Sequence, residues 1–428
     1  MKKRCILYYL FIFIAGIIQA QQPDLNYFLD HARTNSPLIQ KNKDANKVLI
    51  LDLKQTEALL KSPEINLESN ILFAPIISHD NNTNRFELTS PGATNYSGYD
   101  QANTDGGQFQ AFISVRQPLL NGSSLKTYSA KSDISRRKNE NATTLTIHEL
   151  EQLVGYQYIL CLKSKVQIKN SESVLKLLND QLQLMQKLVE HAIYKQTDLM
   201  LLQIEYQNLE LQNKTLDDEF KSNLYDLKLL CGINDPNIKD IQPVELQMKA
   251  ETNGYSSFLN SFKLDSLNIV SEQSITQLKY KPQLSLFANA GLNAVYVPSF
   301  NRLGFSAGLT FSWNIYDGGQ RRFELEKSKV NLHTLQFEKD NFITQQEINK
   351  NKILNQMNSL NERILIIENQ LGQYDKLYEA YQKELSQGQI SIMDFKNLLK
   401  DITAKNQEKT VLEMEKQVLI NSYNYWNY

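Results

Sequence analysis

The sequence has few of the residues that define several common classes of protein. Its 428 residues include only 3 cysteines, 5 histidines, 2 tryptophans and 10 prolines. Cys161 and Cys231 are the cysteines beyond the N-terminal apolar run, and two thiols are too few for a disulfide framework, although they could pair. The formal net charge is −1, so no excess of basic residues indicates binding to nucleic acid.

The sequence also lacks common metal-binding motifs. No two histidines have the spacing of metal ligands, and neither H-E-x-x-H nor C-x-x-C occurs. Gly318-Gly319 is a two-glycine turn, too short for a phosphate-binding loop. We therefore expect no enzymatic activity, no cofactor and no metal ion.

The N-terminus has the pattern of a secretory signal peptide. Lys2, Lys3 and Arg4 precede an apolar run, and Ala20 ends the segment before Gln21. The run is about 14 residues long, whereas a membrane-spanning helix needs about 20. We expect residues 1–20 to be removed and the chain to be exported. No later apolar run is long enough to span a membrane as a helix, so a membrane location would require β-strands.

Two long stretches without proline carry apolar residues at every seventh position, which is the pattern of a coiled-coil seam. In the first stretch these residues are Val154, Cys161, Ile168, Leu175, Leu182 and Val189, and in the second they are Met357, Ile364, Leu371, Tyr378 and Leu385. We expect two antiparallel helical hairpins that turn at about residues 192–197 and 386–392.

The two halves of the chain share landmarks at one constant offset. Residues 116–123 and 312–319 both run from an alternating segment through an Asn/Asp-Gly turn. Asp198 and Asp394 follow the two predicted hairpin turns at the same offset of 196 residues. The sequence therefore predicts a two-fold internal repeat, with a first repeat at 21–230, a linker region at 231–253 and a second repeat at 254–428.

Four segments alternate apolar and polar residues, at about 65–77, 107–118, 283–296 and 302–315. Each is at least as long as the roughly 9–11 residues of a tilted membrane strand, and alternation suits a wall between lipid and water. The edge of a soluble β-sandwich alternates in the same way. An open four-stranded sheet in lipid would leave unpaired backbone groups, and small barrels need about eight strands. Membrane strands would therefore require several copies of the chain.

Short motifs carry a family resemblance through their order and their doubling: Gln117-Pro118-Leu119-Leu120-Asn121-Gly122, Asn314-Ile315-Tyr316-Asp317-Gly318-Gly319, Gly388 followed by Asp394, and the opening segment Ala32–Ile39. Across essentially the whole chain beyond the signal peptide, the sequence resembles the TolC-like outer-membrane efflux protein family. The resemblance implies a mainly α fold with β: a homotrimer in the outer membrane, with a shared 12-stranded barrel and a periplasmic α-helical tunnel. Residues 231–253 would form its equatorial region.

The resemblance also implies a function and partners. Such channels are the exit ducts of tripartite efflux pumps or type I secretion systems, and they are passive conduits that open when a periplasmic adaptor and an inner-membrane transporter dock. They have no enzymatic activity and need no cofactor. A soluble periplasmic coiled-coil adaptor or scaffold protein is the alternative, although an adaptor should have one hairpin and this chain has two.

Site residues are carried over from the family by position. Asp394 and Asn397 would line the closed periplasmic aperture, and the alternative for Asp394 is a helix cap or a first-turn acid. Ile390 stands where a polar residue can lock the closed mouth. The expected adaptor contacts are Tyr194, Lys195, Gln196, Asp198, Gly388, Gln389 and Ser391. Their alternative role is simply to form the turns, with Gly388 at a positive φ.

Overall fold

The computed structural model describes residues 22–88, 93–98, 106–250, 256–295 and 303–428. The predicted signal peptide, the end of the linker region and the loop of the second β-hairpin lie outside the described residues. The chain divides into two compact units. The first unit comprises residues up to Lys43 with Asn141–Asn260 and Glu338–Tyr428, and the second comprises Asp44–Glu140 and Ser261–Phe337.

Helices make up most of the described chain. They are α1 (Leu25–Asn35), α2 (Pro37–Lys61), α3 (Gly122–Glu190), α4 (Gln196–Leu230), α5 (Ser257–Gln277), α6 (Gln320–Ser386) and α7 (Ile392–Trp426). With 69 and 67 residues, α3 and α6 are each about 100 Å long at 1.5 Å per residue. The predicted mainly helical fold with some sheet is confirmed. Among the described helices, none has the length and apolar character needed to cross a membrane.

The buried stripe of α3 differs in detail from the predicted seam. Val154 and Cys161 are fully buried, but Leu175 and Leu182 are only partly buried. Ser171, Leu178 and Met185 are buried in their place, and they follow the same seven-residue spacing. The stripe shifts because the C-terminal part of α3 packs in a core that also contains side chains of α4, α6 and α7. The buried face of α3 is therefore broader than the single stripe of a coiled-coil seam.

Both cysteines of the first unit are buried thiols. Cys161 and Cys231 belong to one apolar cluster with Phe28, Tyr158 and Leu227, and both are free. Burial raises the pKa of each thiol to about 12. They therefore stay protonated at physiological pH and act as small apolar side chains.

Residues 231–250, which we name the strap, cross the first unit without forming a helix or strand. Side chains of the long helices form hydrogen bonds with backbone groups of the strap. The Tyr158 hydroxyl of α3 donates to the Gln242 carbonyl at 2.5 Å, and the Gln417 side-chain oxygen of α7 accepts from the Leu246 N–H at 2.7 Å. These bonds fix an irregular segment that would otherwise leave polar backbone groups unpaired.

The second unit contains a four-stranded antiparallel sheet. Its strands are β1 (Glu64–Ala74), β5 (Gly106–Pro118), β6 (Gln283–Val295) and β7 (Leu303–Ser312). They lie in the order β1-β5-β6-β7. Ile113 lies opposite Leu67 on one side and Ala290 on the other, so the apolar positions share a face. Within the described residues, β1 and β7 each pair along one side only.

The segment between β1 and β5 contains a second, small sheet. It consists of β2 (Ile76–Ser78), β3 (Arg85–Glu87) and β4 (Tyr96–Ser97), in the order β3-β2-β4. The Asp80 carboxylate accepts hydrogen bonds from the Thr94 and Asn95 N–H groups at 2.8 and 2.9 Å. Strands of two or three residues are too short to carry an alternating pattern, so the sequence gives no signal for this sheet.

Candidate functional site

The candidate site lies at the two helical turns of the first unit. We name residues His191–Lys195, between α3 and α4, the first tip, and Gln387–Ser391, between α6 and α7, the second tip. The two turns have the same backbone hydrogen bonds, from Ile193 N–H to Leu188 carbonyl and from Gln389 N–H to Glu384 carbonyl, both 2.9 Å. Each is a Schellman turn, which requires one residue with left-handed backbone.

The left-handed residue differs between the tips. It is Ala192 at φ 61° in the first tip and Gly388 at φ 68° in the second. Glycine adopts this conformation without steric cost, whereas the Cβ of alanine makes it unfavourable by about 1 kcal/mol or more. Gly388 therefore has a structural role at the second tip, whereas Ala192 holds a strained backbone conformation at the first tip.

The helices that leave the tips are capped by different groups. The Asp198 carboxylate accepts from the Lys195 N–H at 3.0 Å and so caps its own helix, α4. In α7 the cap is Ser391, whose hydroxyl accepts from the Met393 N–H at 3.1 Å. In the part of the chain that the structure describes, no hydrogen bond or ion pair involves the Asp394 carboxylate.

Asp394 and Asn397 lie on the exposed side of α7. They are three residues apart and therefore on one helix face. Phe395, Leu398 and Leu399 between and beside them are buried in the core. The first turn of α7 thus presents one carboxylate and one amide to the surroundings, at the helix end where the backbone dipole favours negative charge.

The two tips touch each other. The Tyr194 hydroxyl donates to the Ile390 carbonyl at 2.7 Å. A Cβ placed on Gly388 would lie 2.8 Å from Cγ2 of Ile193, so these residues are in close contact. Burial, and secondarily the nearby Asp198 carboxylate, raise the pKa of Tyr194 above its ordinary value. No sequence signal indicates this bond, because its partners are 196 positions apart.

The remaining predicted contact residues form the surface of the tips. Lys195, Gln196, Gln389 and Ser391 are exposed. Tyr194 and Asp198, which form the hydrogen bonds described above, are partly buried. Below the tips, polar contacts continue between the hairpins. The Lys400 ammonium lies 3.5 Å from the buried Glu205 carboxylate, and the Asn170 amide donates to the Thr410 hydroxyl at 3.0 Å.

Residues 304–308 match the G-x-S-x-G pattern of hydrolase nucleophiles, but they do not form the sharp turn on which such a nucleophile lies. Ser306 lies within β7 and pairs with Asn289 of β6. The nucleophile motif requires a sharp turn between a strand and a helix, which exposes the serine. No group of three potential metal-ligating side chains occurs among the described residues.

Comparison with protein-family models and with curated proteins finds no match. The fold, however, is found among solved structures. CusC, whose structures concern transmembrane channel formation, has a TM-score of 0.71 at 13% identity over 95% of this chain and 92% of its own. The CmeC outer membrane channel of Campylobacter jejuni has a TM-score of 0.68 at 13% identity, over 94% and 85%.

The open state of the Neisseria gonorrhoeae MtrE outer membrane channel is similar over 95% of this chain and 89% of its own, with a TM-score of 0.67 at 10% identity. Each likeness extends over both units, so it includes the sheet and the helical hairpins. At these low identities the similarity is one of fold. The chain therefore has the fold of the TolC-like outer-membrane channels, as the resemblance in its sequence predicts.

Proposed function

We propose that the chain is the protomer of an outer-membrane exit channel for a tripartite efflux pump or a type I secretion system. Three copies would form one barrel in the outer membrane and a helical tunnel in the periplasm. The channel would be passive, and docking of a periplasmic adaptor and an inner-membrane transporter would open it. Catalysis and cofactors have no part in this role.

The observation that carries the proposal is the four-stranded sheet. One of its faces exposes large apolar side chains, including Leu67 at 79%, Ile71 at 75% and Phe305 at 75%. A sheet face that exposes several large apolar side chains calls for a covering surface, and lipid is one that suits an alternating strand. The opposite face carries Ser114, Asn289 and similar polar residues, which suit water.

The open sheet edges support assembly from several copies. Unpaired backbone groups cost several kcal/mol each in lipid, so β1 and β7 need partners there. Four antiparallel strands alternate in direction, so the two edge strands run opposite ways. The β7 strand of one copy can therefore pair antiparallel with β1 of the next. Three copies would supply twelve strands, the number that the family resemblance implies.

The tips support the aperture and docking roles. A threefold ring of Asp394 would crowd negative charge at a narrow point and favour cations, while Asn397 would leave the ring with one acid per copy. The exposed residues Lys195, Gln196, Gln389 and Ser391 would contact the adaptor, and Tyr194, Asp198 and Gly388 would shape the surface that it meets.

The test is membrane assembly of the full-length protein with two matched variants on β7. Phe305 lies on the apolar face and Ser306 on the polar face, and both side chains are exposed. An arginine facing lipid costs about 2–4 kcal/mol at the bilayer centre, but one facing water costs little. We expect Phe305→Arg to reduce the detergent-extracted, heat-modifiable oligomer strongly and Ser306→Arg to retain it.

Conductance completes the test. The purified wild-type oligomer should form channels in planar bilayers. A wild-type protein that is a water-soluble monomer without detergent would contradict the channel and favour the adaptor or scaffold alternative. Equal effects of the two arginine variants would contradict the assignment of the sheet faces.

A further inference from the structure

An open cavity of about 270 Å³ lies on the polar face of the four-stranded sheet. Three adjacent strands line it, with Gln110 and Phe112 of β5, Asn289 and Asn293 of β6, and Ser306 of β7. Phe112 is two residues from Ser114 on β5, so both side chains project from the same face of the sheet. Ligand sites in proteins have volumes of about 300–1,000 Å³, so this cavity has room for one small ring.

The polar groups of the cavity are mainly carboxamides, and no charged side chain lines it. The Gln110 amide N–H donates to the side-chain oxygen of Asn293 at 3.4 Å. Within the described residues, no side-chain hydrogen bond involves Asn289. Glu68 of β1 lies opposite Phe112, but its carboxylate already accepts from the Ser114 hydroxyl at 2.6 Å. The cavity therefore offers neutral donors and acceptors together, since each carboxamide carries both.

Two glycines, Gly291 of β6 and Gly304 of β7, lie opposite each other in the lining of the cavity. Close packing of the strands requires Gly291, because a Cβ there would overlap the carbonyl oxygen of Ala111. A Cβ on Gly304 would meet no atom of the described residues within 4 Å. Glycine weakens a strand and often marks the close approach of a ligand or of another backbone. Packing within the chain does not explain Gly304, and the space above it is open to a ligand.

We propose that this cavity binds one ring of a neutral saccharide. A pyranose ring presents C–H groups with partial positive charge, which the negative face of an aromatic ring such as Phe112 attracts. Its hydroxyl groups both donate and accept hydrogen bonds, as the carboxamides do. An ion would find no opposite charge in the lining. A wholly apolar molecule would leave the carboxamides without partners, which opposes its binding.

The proposal goes beyond the channel role, because it assigns a class of ligand to the polar face of the sheet. In the proposed barrel this face lines the water-filled interior, so a solute inside the barrel would reach the cavity. Access to the cavity in the membrane rests on the channel role, whereas binding is measured separately from conductance. A protein that conducts ions and does not bind saccharide would overturn this inference alone.

The experiment is saturation-transfer NMR of maltose with the full-length protein in nanodiscs, with empty nanodiscs as the baseline. Wild type should bind maltose saturably, and it should bind glucuronate, a charged ring, about fivefold more weakly. Phe112→Leu should weaken maltose binding about fivefold, because the aromatic face is lost. Phe287→Leu is the matched control, since Phe287 projects from the same face, lies against Gly308 of β7 and is outside the cavity.

A second variant fills the cavity. Gly304→Val adds a β-branched side chain in open space, and such side chains suit strands. It should abolish maltose binding and leave circular dichroism unchanged. Several results would overturn the proposal: no saturable binding by wild type, equal binding by Phe112→Leu or Gly304→Val, or the same loss in Phe287→Leu. If β1 of a second copy covers the cavity, wild type will not bind and Gly304→Cys will resist maleimide labelling, which also overturns it.

Discussion

The first and second tips have the same backbone and different chemistry. Both are five-residue Schellman turns, and the helices that follow them, α4 and α7, are each 35 residues long. Their left-handed positions, Ala192 and Gly388, are 196 positions apart, and so are Asp198 and Asp394. The equal geometry means that any difference in role comes from the side chains.

The two tips differ in which residue caps the following helix and in whether the acidic side chain is left exposed. At the first tip a single acid, Asp198, caps α4, so its carboxylate is engaged. At the second tip Ser391 supplies the cap, and the Asp394 carboxylate is left exposed with no described partner. The comparison therefore excludes Asp394 as the cap of α7. Asp394 remains an acid in the first turn of that helix, where the helix dipole stabilises it, and its aperture role stays a prediction.

The largest effect should come from exchanging the left-handed residues. Gly388→Ala places a Cβ in left-handed backbone and against Ile193, and we expect it to destabilise the second tip by about 2 kcal/mol. Ala192→Gly relieves the same conformation at the first tip, and we expect it to be neutral or to stabilise by up to about 1 kcal/mol. Hydrogen exchange of the tip amides measures both.

The two substitutions are controls for each other, because their expected effects on the stability of the tips differ in direction. If both variants weaken protection of the tips equally, the backbone conformations are not those described. If Gly388→Ala has no effect, the close contact between Ile193 and the second tip is absent in solution.

A several-fold effect on ion selectivity should separate the two acids. Asp394→Ala should lower the preference for cations in single-channel recordings, because it removes the proposed ring of charge. Asp198→Ala should leave selectivity unchanged but weaken the start of α4 by about 1 kcal/mol, the usual value of a cap. Unchanged selectivity in Asp394→Ala would contradict the aperture assignment.

The helices, and the positions where the hairpins turn, follow from local patterns in the sequence. Seven-residue apolar spacing and the absence of proline are properties of neighbouring residues, and they predict long helices directly. The buried serine at position 171 is different. Its burial depends on several helices meeting at α3, and the sequence of α3 alone carries no signal for that.

The strap and the contact between the tips could not be predicted for a related reason. The strap is fixed by Gln417 and Asn424, which lie more than 170 positions from the backbone groups that they bind. Tyr194 and Ile390 are 196 positions apart. A tyrosine in a turn is an ordinary surface residue until the fold brings an acceptor to it.

The smallest effect should come from the bond between the tips. Tyr194→Phe removes the hydroxyl that donates to Ile390 and keeps the ring, so we expect the second tip to lose about 1 kcal/mol of stability. Tyr206→Phe is the matched control, because Tyr206 is partly buried on α4 and no described hydrogen bond involves its hydroxyl. Hydrogen exchange at Ile390 and Ser391, corrected for intrinsic rates, measures the difference.

The burial of Tyr194 predicts a pH dependence. Because burial and Asp198 raise the pKa of Tyr194, the neutral hydroxyl is favoured in the folded protein. Its stabilising contribution is fully present below the pKa of an unfolded tyrosine, and it is lost as the pH rises through the folded value. Wild type should therefore lose protection at the second tip in the alkaline range, and Tyr194→Phe should lack that step. If both proteins respond equally, another group holds the tips together.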